Sequence, residues 1–224
     1  MAQSQLIDIG AMGWSDLLPG VQAKRVWADP GSGGGPGRVA MFIRFAADTA
    51  LPRHAHAGDE LVYVLEGVLA DDHGAITAGN VGYRPDGCLH TVHSPTGATV
   101  FAVITGSIDP RQDGDRGGAP SQVFDLAAMP WTETRPGMWQ KVFWRDEAAG
   151  RSAALNRFDP GTELAAHRHL GDEIVFAIEG TVDDEAGSVR PGVVGYRPDG
   201  CAHTVRTPNG ALALGYLWGG VEAL

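Results

Sequence analysis

The chain has 224 residues, 43% hydrophobic and 20% charged, and 17 Lys and Arg against 27 Asp and Glu leave a net charge of −10. That length suits one large domain or two of about 110 residues, and an acidic chain with no basic cluster is a poor partner for nucleic acid or an anionic membrane. The 32 glycines and 14 prolines point to many turns between short strands, and so to an all-β fold.

The opening segment MAQSQLIDIGAMGW has neither a basic n-region nor an apolar h-region, and no apolar run approaches the ~18 residues of a membrane span. A cytoplasmic protein is expected. After WSDLLPG, which leads into the strands, the loop GSGGGPGR from Gly31 to Arg38 has the glycines of a phosphate cradle without its Gly-Lys-Ser/Thr ending, and reads as a flexible hairpin tip. Strands are predicted at VAMFIRF, ELVYVLEG and ATVFAVITG. In ELVYVLEG, Glu60, Val62 and Val64 share one face and Leu61, Tyr63 and Leu65 the other. The glutamate face carries small side chains, as a cavity lining would. The bulky face needs cover, either from the other half of the chain or from a second subunit in a homodimer.

A shift of 113 lays Arg44–Ala102 over Arg157–Gly215 with 29 identities in 59 positions and no gap. Upstream the shift becomes 117, matching Asp8, Trp14, Lys24 and Trp27 to Asp125, Trp131, Lys141 and Trp144; the four extra residues fall in the glycine-rich loop. The chain is therefore read as two copies of one domain, 1–106 and 121–224, joined by a polar linker over 107–120. Further strands are predicted in the second copy at AALNRF and ALALGYLWG, after WTETRPG.

Each copy carries His-x-His-x3-Glu and another histidine thirty residues on: His54, His56, Glu60 and His90, then His167, His169, Glu173 and His203. Histidines at i and i+2 on a strand point the same way and can aim two imidazoles at one ion. A turn at Ala57-Gly58-Asp59 or Leu170-Gly171-Asp172 bends the chain before the glutamate. Separately satisfied core histidines are the plainer alternative, but one full set in each copy favours a metal. Three imidazoles and a carboxylate suit a divalent first-row transition metal, one per copy.

GTELAAHRHLGDEIVFAIEG resembles the first cupin motif at Gly161, His167, His169, Glu173 and Gly180, and GVVGYRPDGCAH the core of the second at Gly192, Pro198, Gly200 and His203. The first copy matches at His54, His56, Glu60, Gly67, Gly79, Pro85, Gly87 and His90. It departs at Asp48, where the motif has Gly, and both copies lack the closing Asn, having Ser94 and Thr207. The chain thus resembles a bicupin, two tandem jelly-roll β-barrels. It looks most like the cupin portion of ChrR-type anti-sigma factors and the related acetylacetone and 2,4'-dihydroxyacetophenone dioxygenases.

That resemblance implies a metal-dependent dioxygenase acting on a small enolisable or hydroxylated ketone, with Fe as the metal expected of an oxygenase and Zn, Mn or Ni as alternatives. A non-catalytic metal, small-molecule or oxidant sensor and an isomerase or epimerase are the competing functions. A sigma-factor partner is not expected, because the repeat leaves no room for a separate helical domain. Near the sites, Cys88 and Cys201 are either extra ligands or redox thiols, or else small buried hydrophobes. Tyr83 and Arg84, like Tyr196 and Arg197, either orient a substrate at a cavity mouth or are structural, with the arginine paired to Asp86 or Asp199. His73 is expected to be exposed, and the repeat-matched tryptophans to serve packing.

Overall fold

The computed structural model describes residues 2–31, 37–109 and 118–224. The glycine-rich loop and the linker therefore lie partly outside the described residues. Among those described there is no helix; the chain is strands and turns throughout, folded as tandem cupin barrels. No helix is long and apolar enough to cross a membrane.

The chain divides into two compact units: Gly13–Ala128, the amino-terminal unit, and Met129–Leu224 together with Met1–Met12, the carboxy-terminal unit. This differs from the division at 106 and 121 by an exchange of first strands. Gln5–Asp8 pairs with Val193–Arg197 in the second copy, Leu6 opposite Gly195. Its repeat equivalent Gln122–Phe124 pairs with Val81–Arg84 in the first, Val123 opposite Gly82. Both acceptor strands end in the same four residues, Val-Gly-Tyr-Arg, so their sequence does not select one donor over the other.

In the carboxy-terminal unit a seven-stranded sheet runs Gln5–Asp8, Val193–Arg197, Glu173–Gly180, Ala211–Trp218, Arg151–Phe158, Met138–Asp146 and Thr132–Arg135. A five-stranded sheet holds Gly187–Val189, Val182–Asp184, Ala202–Thr207, Thr162–His169 and Val221–Ala223. The core lies between inner faces that alternation along the strands makes apolar, with Phe158, Leu164, Val175, Val182 and Val205 among its members. The amino-terminal unit repeats the plan, except that one 12-residue strand, Glu60–Asp71, pairs across both faces. Val62 and Val64 fall on its inner face, as alternation requires.

Two turn positions show why the motif wants glycine. At Gly58, φ is +123°, and a Cβ would lie 2.0 Å from the Thr105 carbonyl oxygen, so no other residue allows the bend between His56 and Glu60. At the departure from the motif, Asp48 sits at φ 59°, the only non-glycine in the left-handed region among the described residues, while its counterpart Gly161 has φ 79°. The backbone conformation is kept and Asp, which tolerates it better than most side chains, bears the strain. Asp48→Gly is therefore expected to stabilise the protein by about 0.5–1 kcal/mol, read as a higher thermal midpoint; a lower midpoint would contradict this account.

Candidate metal centres

Each centre is built where two paired strands meet. His54 and His56 lie on Thr49–Ala57, and His90 on Leu89–Ser94 directly opposite His54. In the second copy His167 and His169 lie on Thr162–His169, with His203 opposite His167. A register irregularity just before the first histidine interrupts the pairing in both copies. The Pro-Asp-Gly-Cys turn clamps the second histidine by its backbone: His56 N donates to the Cys88 carbonyl and Gly87 N to the His56 carbonyl, both at 2.9 Å. Cys201 and Gly200 hold His169 in the same way.

The three imidazoles of each copy offer ligand atoms within 4.8 Å of one another, so each set could hold a metal ion. His56 Nε2 lies 2.9 Å from His90 Nε2, and His169 Nε2 2.9 Å from His203 Nε2. Two nitrogens bound to one ion at about 2.1 Å and at right angles would stand ~3 Å apart, so the spacing fits a shared cation. His54 Nδ1 meets the Pro52 carbonyl at 2.9 Å and His167 Nδ1 the Ala165 carbonyl at 3.0 Å. Donation from Nδ1 leaves Nε2 bare and aimed at the centre, the usual support of a metal-ligating histidine.

Glu60 and Glu173 stand beside these groups. Glu60 Oε2 lies 3.6 Å from His56 Nε2, and Glu173 Oε2 3.7 Å from His169 Nε2. The same oxygens are held by arginines: Arg84 Nη1 at 3.2 Å from Glu60, Arg197 Nη1 at 3.0 Å from Glu173. The other end of each guanidinium reaches an aspartate whose side chain is only 1% exposed, Asp71 at 3.2 Å and Asp184 at 3.1 Å. These two aspartates are the residues that sequence reasoning missed. They sit in short acidic stretches that run up to Gly74 and Gly187, and their identity in both copies was the available signal.

Arg84 and Arg197 are thus buried bridges behind the histidines, and the pairing with Asp86 or Asp199 is not what forms. Asp86 instead accepts from Gly58 N at 2.8 Å, and Asp199 N donates to Asp172. Tyr83 and Tyr196 point their hydroxyls to Asp59 and Asp172, at 2.8 and 2.9 Å. Cys88 and Cys201 are buried and belong to neither histidine group; burial raises the Cys88 pKa, and the Cys201 thiol lies 3.6 Å from Ser4 Oγ. His73 is exposed. The matched tryptophans lie partly exposed beneath cations, among them Arg38 over Trp27 and Arg151 over Trp144.

Electrostatics keep the imidazoles available. Burial, then the Arg84 charge, pushes His90 down to about 3; burial, then Arg197, pushes His203 down to about 4. Burial also lowers His56 and His169. For the glutamates burial acts upward but is outweighed, by His56 and Arg84 at Glu60 and by Arg197 and His169 at Glu173, and both end below the usual carboxylate range. The arginine charge is permanent, so its share of this lowering persists when the imidazoles are neutral.

A family model described as the ChrR cupin-like domain matches residues 2–109 and 120–215. No curated protein matches the chain. Among solved structures, a Nostoc punctiforme protein to which dioxygenase activity is provisionally ascribed aligns with TM-score 0.79 and 13% identity, over 99% of this chain and 83% of its own. Oxalate decarboxylase of Bacillus subtilis aligns with TM-score 0.69 and 15% identity, over 100% and 80%. A Pseudomonas aeruginosa protein provisionally described as glyoxylate-induced aligns with TM-score 0.73 and 17% identity, over 96% and 87%. At these identities the likeness shows the fold.

Two outcomes follow from the charges. His90 and His203 protonate far less readily folded than unfolded, so the metal-free protein loses stability as pH falls below about 6.5 towards their folded values near 3 and 4. Thermal midpoints of chelator-treated protein should be level above that pH and decline below it; a midpoint rising on acidification would reverse the assignment. Arg197→Met leaves Glu173 and Asp184 facing each other unpaired and should cost about 3–5 kcal/mol in denaturant unfolding.

Proposed function

This chain belongs to the ChrR cupin-like domain family, and from that premise we propose that it is a metal-dependent dioxygenase cleaving a small enolisable or hydroxylated ketone. The observation that carries the reading is the convergence of bare imidazole nitrogens beside an ionised glutamate, built twice in one chain. We assign His54, His56, Glu60 and His90 to one metal and His167, His169, Glu173 and His203 to the other. A divalent first-row metal held there supplies Lewis acidity towards a substrate chelating through two oxygens and, if redox-active, the means to use dioxygen.

The protein's own groups supply the rest. The histidines and glutamate would fill four positions, leaving two on a six-coordinate ion for a chelating substrate, or for water or dioxygen, and none on a tetrahedral one. Arg84 and Arg197 hold their glutamates ionised and fix one carboxylate oxygen, so that the glutamate acts as a ligand and does not take the substrate's proton. Cleavage by dioxygen consumes one O2 per ketone and leaves one oxygen atom on each fragment. The dioxygenase activity ascribed to the Nostoc relative supports this reading. The Mn(II) centres named for the Bacillus oxalate decarboxylase support a divalent metal. An oxidant-sensing role through cysteine gains nothing from the structure, since Cys88 is buried with its thiol pushed away from the reactive thiolate.

Protein purified without oxygen should carry two metal ions per chain, and His56→Ala or His169→Ala one each. Wild type loaded with Fe(II) should take up oxygen stoichiometrically with 2,4-pentanedione or 2-hydroxyacetophenone, and the double variant should not. Uptake that persists in the double variant, or fails for every ketone in a broad panel, would sink the proposal.

A further inference from the structure

The two centres are near copies, but the walls around them are not. In the amino-terminal unit the register Ala23–Ile43–Val100 crosses three strands of the inner face; the equivalent row in the carboxy-terminal unit is Gln140–Asn156–Ala213. The neighbouring row changes from Met41–Ala102 to Ala154–Gly215, and the row at the glutamate from Val39–Ile104 to Ser152–Leu217. Almost every change makes the carboxy-terminal wall smaller or more polar. Ala23, Met41, Ile43, Ala102 and Ile104 are buried in one apolar cluster with Val39 packed against it. Around the smaller and more polar wall the carboxy-terminal unit has a cavity of about 420 Å³, lined by His167, His169, Glu173, His203, Asn156 and Gln140 among others. That is the size of a small-molecule site.

Within that cavity one polar group is set. Gln140 Nε2 donates to Asn156 Oδ1 at 2.7 Å, which orients the Asn156 amide. Asn156 Nδ2 keeps only a long contact, 3.5 Å, with the Ala154 carbonyl. Gly215 makes room for it: a Cβ there would lie 2.9 Å from Asn156 Nδ2 and 3.9 Å from Glu173 Oε1. The backbone of Gly215 is not in the left-handed region, so the missing side chain serves space and not conformation. Asn156 is 9% exposed, and a largely buried amide N–H without a good acceptor is costly unless a ligand supplies one.

We infer that the carboxy-terminal centre alone receives substrate, that Asn156 Nδ2 donates to a carbonyl or hydroxyl oxygen of a small, uncharged keto compound, and that Ile43 and Met41 close the amino-terminal centre to it. Apolar side chains lining the same cavity, Leu164, Val175 and Val205, suit the carbon skeleton of such a compound. Arg197 is already balanced by Glu173 and Asp184, so it does not call for an anionic ligand. This inference rests on the ketone-binding function proposed above and adds which centre binds and which residue recognises.

The test uses full-length protein loaded with Co(II), whose visible spectrum reports ligand binding without turnover, titrated with 2,4-pentanedione and 2-hydroxyacetophenone. His56→Ala, or His90→Gln as a second way to disable the amino-terminal centre, should keep the wild-type spectral response and Kd. His169→Ala should retain one Co(II) and show no response. In the His56→Ala background, Asn156→Ile and Gly215→Ala should each keep the remaining Co(II) and weaken the Kd at least tenfold, while Asn156→Ser should recover part of the loss. A response that follows the amino-terminal centre, or an Asn156→Ile Kd within twofold of its parent, overturns this inference and leaves the ketone function standing. No response from wild type to either compound overturns both.

Discussion

A guanidinium held between two buried carboxylates lies under each trio of histidines, and the chemistry of the centre depends on it. The side chains of Glu60 and Glu173 are only 10% and 14% exposed, and at such burial a lone carboxyl would tend to hold its proton and be useless to a metal. Arg84 and Arg197 prevent this. Each fork also reaches Asp71 or Asp184, which lie within 3.8 and 3.6 Å of the outer nitrogens of His90 and His203. Counting one arginine, two carboxylates and neutral imidazoles, the charge is +1 − 2 = −1 per centre, which a cation corrects and an added anion would aggravate.

The duplicated chain shows which parts of this arrangement tolerate drift. The three histidines and the glutamate of each centre, the arginine and the aspartate behind it are identical in the two copies, and distances in the two centres agree closely, 3.2 against 3.0 Å for the arginine on its glutamate. The walls one strand row away differ at nearly every position. The residues that form each centre and the residues that shape the space beside it are therefore different sets, although both share the same strands.

Much of this was legible in the sequence because its physical basis is local or repeated. Period-two alternation marks strands whichever sheet they join, and His-x-His needs only the geometry of one strand to place two imidazoles together. The arginine was harder. Sequence proximity favours Asp86 as its partner, but the pairing of Glu60–Asp71 with Val81–Arg84 sets Arg84 opposite Glu60, a register that no short-range signal states. Asp71 and Asp184 were hidden by their company: acidic residues beside Gly74 and Gly187 look like solvated turn residues, and only the burial of the strand end turns them inward. The exchange of first strands was illegible for another reason, since Val-Gly-Tyr-Arg is spelled identically in both copies and either donor satisfies it.

That exchange also orders events on the ribosome. The strand Gln5–Asp8 emerges well before its partner, which is made some 190 residues later. Until then the segment must be kept from pairing with Val81–Arg84, which appears first and offers the same edge. The early-made half cannot adopt its final edge until Gln122–Phe124 has followed it out. Long-range pairing of this kind slows folding through the entropy of closing large loops. A fragment cut anywhere in the linker would carry the wrong first strand for its own barrel, so each half, expressed alone, is offered a non-native closure by its own chain.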